Sequence, residues 1–105
     1  MIIYLAGRIT GKDKAEYIID FMKARNWVED RGHTALCPLS LPFGMPGEKY
    51  MPICLSMIDQ ADAILLVGDD WGNSKGVAIE RAYADYQGKA IYYSTDDVPR
   101  NDFGM

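Results

Sequence analysis

Short solid apolar runs alternate along the chain with longer segments in which apolar residues recur every three or four positions. The first run, Met1-Ile-Ile-Tyr-Leu-Ala6, ends at Gly7 and predicts a buried strand opening into a loop. After Gly7-Arg-Ile-Thr-Gly11, the spacing of Ile18, Phe21, Met22, Arg25 and Val28 predicts a helix from Asp13 to Arg31. Asp13 and Glu16 stand as the N-cap and N3 of a capping box, and Gly32 suits the position after the helix end. His33 to Cys37 predicts a second strand, closed by Pro38. Pro38 to Gly47 holds too many prolines and glycines for regular structure, and loops of this kind serve as lids or binding walls. Pro52 suits N1 of a short second helix that keeps Ile53, Met57 and Ile58 inward and ends near Ala61. Ala63-Ile-Leu-Leu-Val67 is the strongest strand signal. A polar, glycine-rich loop, Gly68 to Gly76, then leads to a third helix, capped by Ser74 and running through Gln87 to Gly88, with Ile79, Ala82, Tyr83 and Tyr86 as its apolar stripe. Lys89 to Tyr93 predicts a fourth strand. The polar tail, Ser94 to Met105, reads either as a brief fifth element or as an arm that docks on a neighbouring chain.

Strands alternating with helices imply parallel βαβ units with right-handed crossovers. The expected fold is α/β, a three-layer sandwich around a flavodoxin- or Rossmann-like parallel sheet of four to five strands in the order 2-1-3-4, with any fifth at the edge. In that order the switch point lies between strands 1 and 3, and ligands of open α/β sheets sit beyond the carboxyl ends of the strands at such a point. The loops meeting there, Gly7 to Asp13 and Gly68 to Lys75, are also the two most polar and glycine-rich.

Composition narrows the range of functions. A chain of 105 residues fits one domain, spanning 1–105, and 49% apolar with 25% charged residues is globular usage. Fifteen acidic against eleven basic residues leave a charge of −4, and no basic run is present, so a nucleic-acid polymer is not the expected partner. No stretch approaches the roughly 20 apolar residues of a membrane span, and the apolar start lacks a basic n-region and cleavage site, so neither membrane nor secretion is expected and a cytoplasmic location is. Two cysteines and one histidine cannot build a usual structural zinc site. Cys37 and Cys54 are expected to be reduced and buried, and no metal or cofactor is expected.

The candidate chemistry gathers in the two loops. Gly7-Arg8-Ile9-Thr10-Gly11-Lys12 has three residues between its glycines where a P-loop needs four, and Asp13 stands where a metal-binding hydroxyl belongs, which excludes the NTPase reading. It remains either an anion site built from backbone donors, Arg8, Thr10 and Lys12, or an ordinary turn with solvated cations. Glu80 lies at N6 of the third helix, too deep for a capping box; it is either a solvated surface acid or a carboxylate leaning back toward the crevice. Asp69 and Asp70 follow the third strand where α/β folds place acids and bases, yet paired acids also form plain turns. Asp62 reads as a cap at the opposite end of the sheet, and His33 as structural. Tyr4, Phe43, Tyr50 and Trp71 are candidates for stacking on a base, or for the core.

Taken together, Tyr4-Leu-Ala-Gly-Arg-Ile-Thr-Gly11, Arg31-Gly-His33, Ala61-Asp-Ala-Ile-Leu-Leu-Val67, Ser74-Lys-Gly-Val-Ala-Ile-Glu80 and Gly88-Lys89 resemble the nucleoside 2-deoxyribosyltransferase-like superfamily. The closest likeness is to a small branch found in bacteria and their phages. The resemblance implies cleavage of the N-glycosidic bond of a nucleoside or its 5′-monophosphate, with Glu80 as the nucleophile, without a cofactor. It implies that Gly7, Arg8, Thr10, Ser74 and Gly76 contact sugar or phosphate, that Tyr4 lies near the base, and that the chain forms a homodimer or higher oligomer with its tail near a partner. In the superfamily's monophosphate hydrolases a second catalytic aspartate stands about eight residues before the aspartate of the Ala-Asp pair; counted back from Asp62, this chain has Cys54 there. Then either Asp69 or Asp70 replaces it, or water protonates the leaving base, or activity is lost, and a non-catalytic nucleotide-binding module is the alternative. The loop also carries Thr10 in place of a second arginine.

Overall fold

In a computed structural model that describes residues 1–101, the two strongest apolar runs become central strands buried on both faces, as parallel sheets flanked by helices require, while the two edge strands are only partly buried. The strands are β1 (Ile2–Gly7), β2 (Thr34–Leu36), β3 (Ala63–Val67) and β4 (Ala90–Tyr92), all parallel and ordered β2-β1-β3-β4. This is the expected α/β topology, with four strands among the described residues. The helices are α1 (Lys14–Asp30), α2 (Gly47–Gln60) and α3 (Lys75–Tyr86), and short 3-10 turns occupy Pro38–Ser40, Trp71–Asn73 and Thr95–Asp97.

Side chains alternate across the sheet and make two cores. Ile3, Leu5, Ala63, Leu65 and Val67 face α1, where Tyr17, Phe21, Ala24 and Val28 meet them. Tyr4, Ala6, Ile64 and Leu66 face α2 and α3, where Cys54, Ile58, Val77 and Ala84 pack. Both cysteines are buried and free. Asp62 sits at the other end of the sheet, its carboxylate accepting from Ile2 N at 2.8 Å.

Four local expectations change. Asp13 is the N-cap of α1, but its side chain makes no capping bond. The inner stripe of α1 is Tyr17-Phe21-Ala24-Val28, leaving Met22 half-buried and Arg25 exposed, because the aromatic ring at position 17 reaches the sheet. α2 starts at Gly47 with Pro46 as its N-cap, so Pro52 lies inside the helix instead of opening it. The stripe proposed for α3 fails most plainly: Ile79 is 50% and Tyr86 90% exposed, while Val77, Glu80 and Ala84 face inward. A carboxylate occupies the place where apolar periodicity predicts a hydrophobic side chain.

The tail to Asn101 adds no fifth strand among the described residues; it makes a brief 3-10 element, Thr95–Asp97, and packs on its own domain. Val98 is buried in the α1-side core, Trp27 Nε1 donates to Thr95 O at 2.8 Å, and Asn101 N donates to Arg31 O at 2.8 Å. An apolar side chain at 98 and free carbonyls at the end of α1 pull the segment back onto its own domain. The part of the tail from 102 to 105 lies outside the described residues.

Candidate active site

The loops after β1 and β3 need unusual backbone, and glycine supplies it. Gly7 closes β1 against α1: a Cβ there would lie 3.0 Å from Phe21 Cζ and 3.1 Å from Val67 Cβ. Gly11 and Gly68 turn the chain with φ of +78° and +82°, a region that side-chain-bearing residues avoid. Lys12 then ties three elements together, its Nζ donating to Asp20 at 2.6 Å and Asp70 at 2.9 Å. Asp70 also accepts from Arg8 at 3.4 Å. The bond from Lys12 holds the Asp70 carboxyl below its ordinary pKa, and the bonds to Asp20 and Asp70 hold the Lys12 ammonium above its own.

Beyond β1, between α2, α3 and the loop after β2, lies a cleft of about 720 Å³. Tyr4, Gly7, Arg8, Thr10, Ser74, Gly76 and Glu80 all line it, so one cavity gathers residues from two separate stretches of sequence. Ser74 Oγ accepts from Val77 N at 3.2 Å and caps α3, aiming the first turn of that helix at the cleft. Asp69 and Asp70 do not line it. Asp69 lies on a second depression with Trp71 and Tyr93, and Asp70 is occupied by Lys12 and Arg8. Of the aromatic candidates, Tyr4, Phe43 and Tyr50 are on the cleft wall, whereas Trp71 stacks at a tilt on Tyr93, 5.9 Å between centroids. His33 lies on neither cavity; its Nε2 meets Pro99 O at 2.5 Å.

At the floor of the cleft, Glu80 is 7% exposed and Tyr4 fully buried, and the Tyr4 hydroxyl donates to Glu80 Oε2. Burial disfavours the charged carboxylate and raises the Glu80 pKa from 4.5 to about 7, while the Tyr4 bond pulls the other way. Burial next to that carboxylate pushes the Tyr4 phenol far above its ordinary range. Cys54 is the third member of the group: burial first, and then the Glu80 charge, push its thiol up. The sequence reading missed the outer wall, formed by Leu39, Leu41, Met45 and Met51. Its only signal was the Pro- and Gly-rich stretch from 38 to 47, which marks a wall without saying which side chains face in.

The 2-1-3-4 parallel sheet of this chain, with its flanking helices, has the fold of the nucleoside 2-deoxyribosyltransferases. A 2-deoxyribosyltransferase from the psychrotolerant bacterium Bacillus psychrosaccharolyticus superimposes with a TM-score of 0.65 at 24% identity, over 87% of this chain and 69% of that one. One from Leishmania mexicana gives 0.62 at 22%, over 89% of this chain and 63% of that one. At this identity the likeness is one of fold, and this chain spans about two thirds of their length. The family model described as "Domain of unknown function (DUF4406)" matches residues 1–93, and the chain belongs to that family. No curated protein sequence matches it significantly. No helix among the described residues is long and apolar enough to cross a membrane.

Proposed function

We propose that the protein breaks or transfers the N-glycosidic bond of a nucleoside or its 5′-monophosphate, with Glu80 as the nucleophile. The observation that carries this reading is the burial of Glu80 at the floor of the cleft. A glutamate on a helix normally lies in solvent, and enclosing one is tolerated where its chemistry is used. The Glu80 carboxylate attacks C1′ of the sugar, the bond to the base nitrogen breaks, and a glycosyl ester forms. Water or a second base then displaces the ester. Tyr4 holds the carboxylate in place and stabilises its charged form. Arg8, Thr10, Gly7 and the α3 start at Ser74 and Gly76 receive the sugar and any phosphate, which a helix N-terminus and one cation suffice to hold. Asp69 and Asp70 take no direct part in this scheme, because neither lines the cleft.

Incubation with nucleosides and their monophosphates is expected to release free base, and Glu80→Gln to reduce that release by at least about 10³-fold. Undiminished release by the variant would sink the mechanism. The second reading, a nucleotide-binding module without catalysis, draws on Cys54, a thiol where related hydrolases carry an acid; saturable binding without base release is its signature. We further propose a homodimer or higher oligomer, tested by light scattering at micromolar concentration, where a monomeric mass counts against it.

A further inference from the structure

Glu80 is the only carboxylate among the described residues that line the cleft. Retaining glycosidases pair the nucleophile with a second carboxyl group about 5 to 5.5 Å away, which protonates the departing group. Here the nearest candidates are unsuited: Asp70 is held charged by Lys12, and Asp69 faces the other depression. The remaining ionisable groups on the wall are phenols, one thiol, an ammonium and the Arg8 guanidinium, classes that hold their protons at least about 4 units more tightly than a carboxyl group does. Tyr4 is already committed to Glu80.

From a cleft in which Glu80 is the only carboxylate among the described residues, we infer that the substrate is an N-glycoside whose leaving base already bears a positive charge on its ring system, such as an N-ribosylpyridinium or a 7-alkylated purine nucleotide. The inference rests on the proposed role of Glu80 and specifies the substrate class for it. A neutral base leaves as an anion unless an acid protonates it. A cationic base leaves neutral and needs no proton. The Glu80 carboxylate forms a bond to C1′, the C1′–N bond breaks, and its electron pair neutralises the ring. Water then attacks C1′, the ester bond to Glu80 breaks, and the water's extra proton goes to solvent, so the net products are neutral base, free sugar or sugar phosphate, and one proton. The site favours such a substrate electrostatically as well. A cation brought against Glu80 draws the carboxylate into its charged form, and the outer wall of Leu39, Leu41, Met45, Met51 and Tyr50 offers a flat ring apolar and π contact without hydrogen-bonding demands.

The test compares base release from 7-methylguanosine 5′-monophosphate with that from guanosine 5′-monophosphate, each as the ribo- and the 2′-deoxyribonucleotide, with nicotinamide mononucleotide as a third cationic probe. Spontaneous release is subtracted. General-acid assistance contributes roughly 10²- to 10⁴-fold, so without it kcat/KM for the methylated member is expected to exceed that of its neutral partner by at least about 10²-fold, with both rates lost in Glu80→Gln. Rates for the two members within a few-fold of each other reveal a working proton donor and overturn the inference, while leaving the glycosidase reading intact. Absence of release from every probe overturns both.

Discussion

The ionisation of Glu80 sets what the site can do at a given pH. Because the nucleophile must be charged, kcat/KM for base release is expected to rise with pH through about 7 and level off above it. Tyr4→Phe removes the one bond that favours the charged form, so the rising limb is expected to move to higher pH; an unmoved limb would show that Tyr4 does not act on the carboxylate. The same burial has a signature in stability. Glu80 binds its proton more tightly folded, with a pKa of about 7, than unfolded, near the ordinary 4.5, so folding takes up a proton between those values. Its stabilising contribution is complete below about pH 4.5, is lost as pH rises to about 7, and stays lost above that. A shift of this size corresponds to about 3 kcal/mol. Urea midpoints measured from pH 4 to 9 are expected to fall across this window in the native protein, and Glu80→Gln is expected to lack that fall.

At the level of single elements, the tightest fit is where β1 ends against α1. Gly7→Ala places a methyl 3.0 Å from Phe21 Cζ and 3.1 Å from Val67 Cβ, with Val67 O at 3.3 Å. Overpacking of this kind costs about 1 to 3 kcal/mol, to be read as a lower urea midpoint, and it disturbs the loop that carries Arg8. How legible each element is in the sequence depends on how many jobs its residues perform. β1 and β3 are plain because every side chain from Ile3 to Ala6 and from Ala63 to Val67 is buried, which leaves an unbroken apolar run and fixes the sheet order around them. The site loops are plain because glycine and polar residues crowd at the strand ends. α3 misleads because its inner face carries Glu80 while Ile79 and Tyr86 point outward, so the hydrophobic period follows the wrong side. α2 misleads because proline is a signal for N1, yet Pro46 already sets the start and Pro52 is carried six residues in. Asp69 and Asp70 look alike on paper; only the position of Lys12 separates an ion-paired strut from a solvent-facing neighbour. Cys54 is marked in the sequence only by the resemblance; its place beside Tyr4 and Glu80 appears only in the fold.

At the scale of the whole fold, the segment after β4 helps α1 to close its side of the sheet. Val98 is 3% exposed and belongs to the same cluster as Phe21, Val28 and Leu65, so it is part of the core and not an appendage. Thr95 O accepts from Trp27 Nε1, and Asn101 donates to Arg31 O and Gly32 O, which spares the end of α1 some of its orphan carbonyls. Val98→Ala deletes two buried methyl-sized groups, a loss of about 1.6 kcal/mol in transfer energy before any cavity is counted. For a domain of this size, such a loss lowers the melting temperature by on the order of 10 °C. If the segment is integral, thermal unfolding followed by far-UV circular dichroism and by tryptophan fluorescence must remain one coincident transition in the variant, displaced downward. A melting temperature unchanged in Val98→Ala, or a separate early fluorescence transition from Trp27, would instead show that the tail docks independently of the fold, and that the sheet with its cleft stands without it.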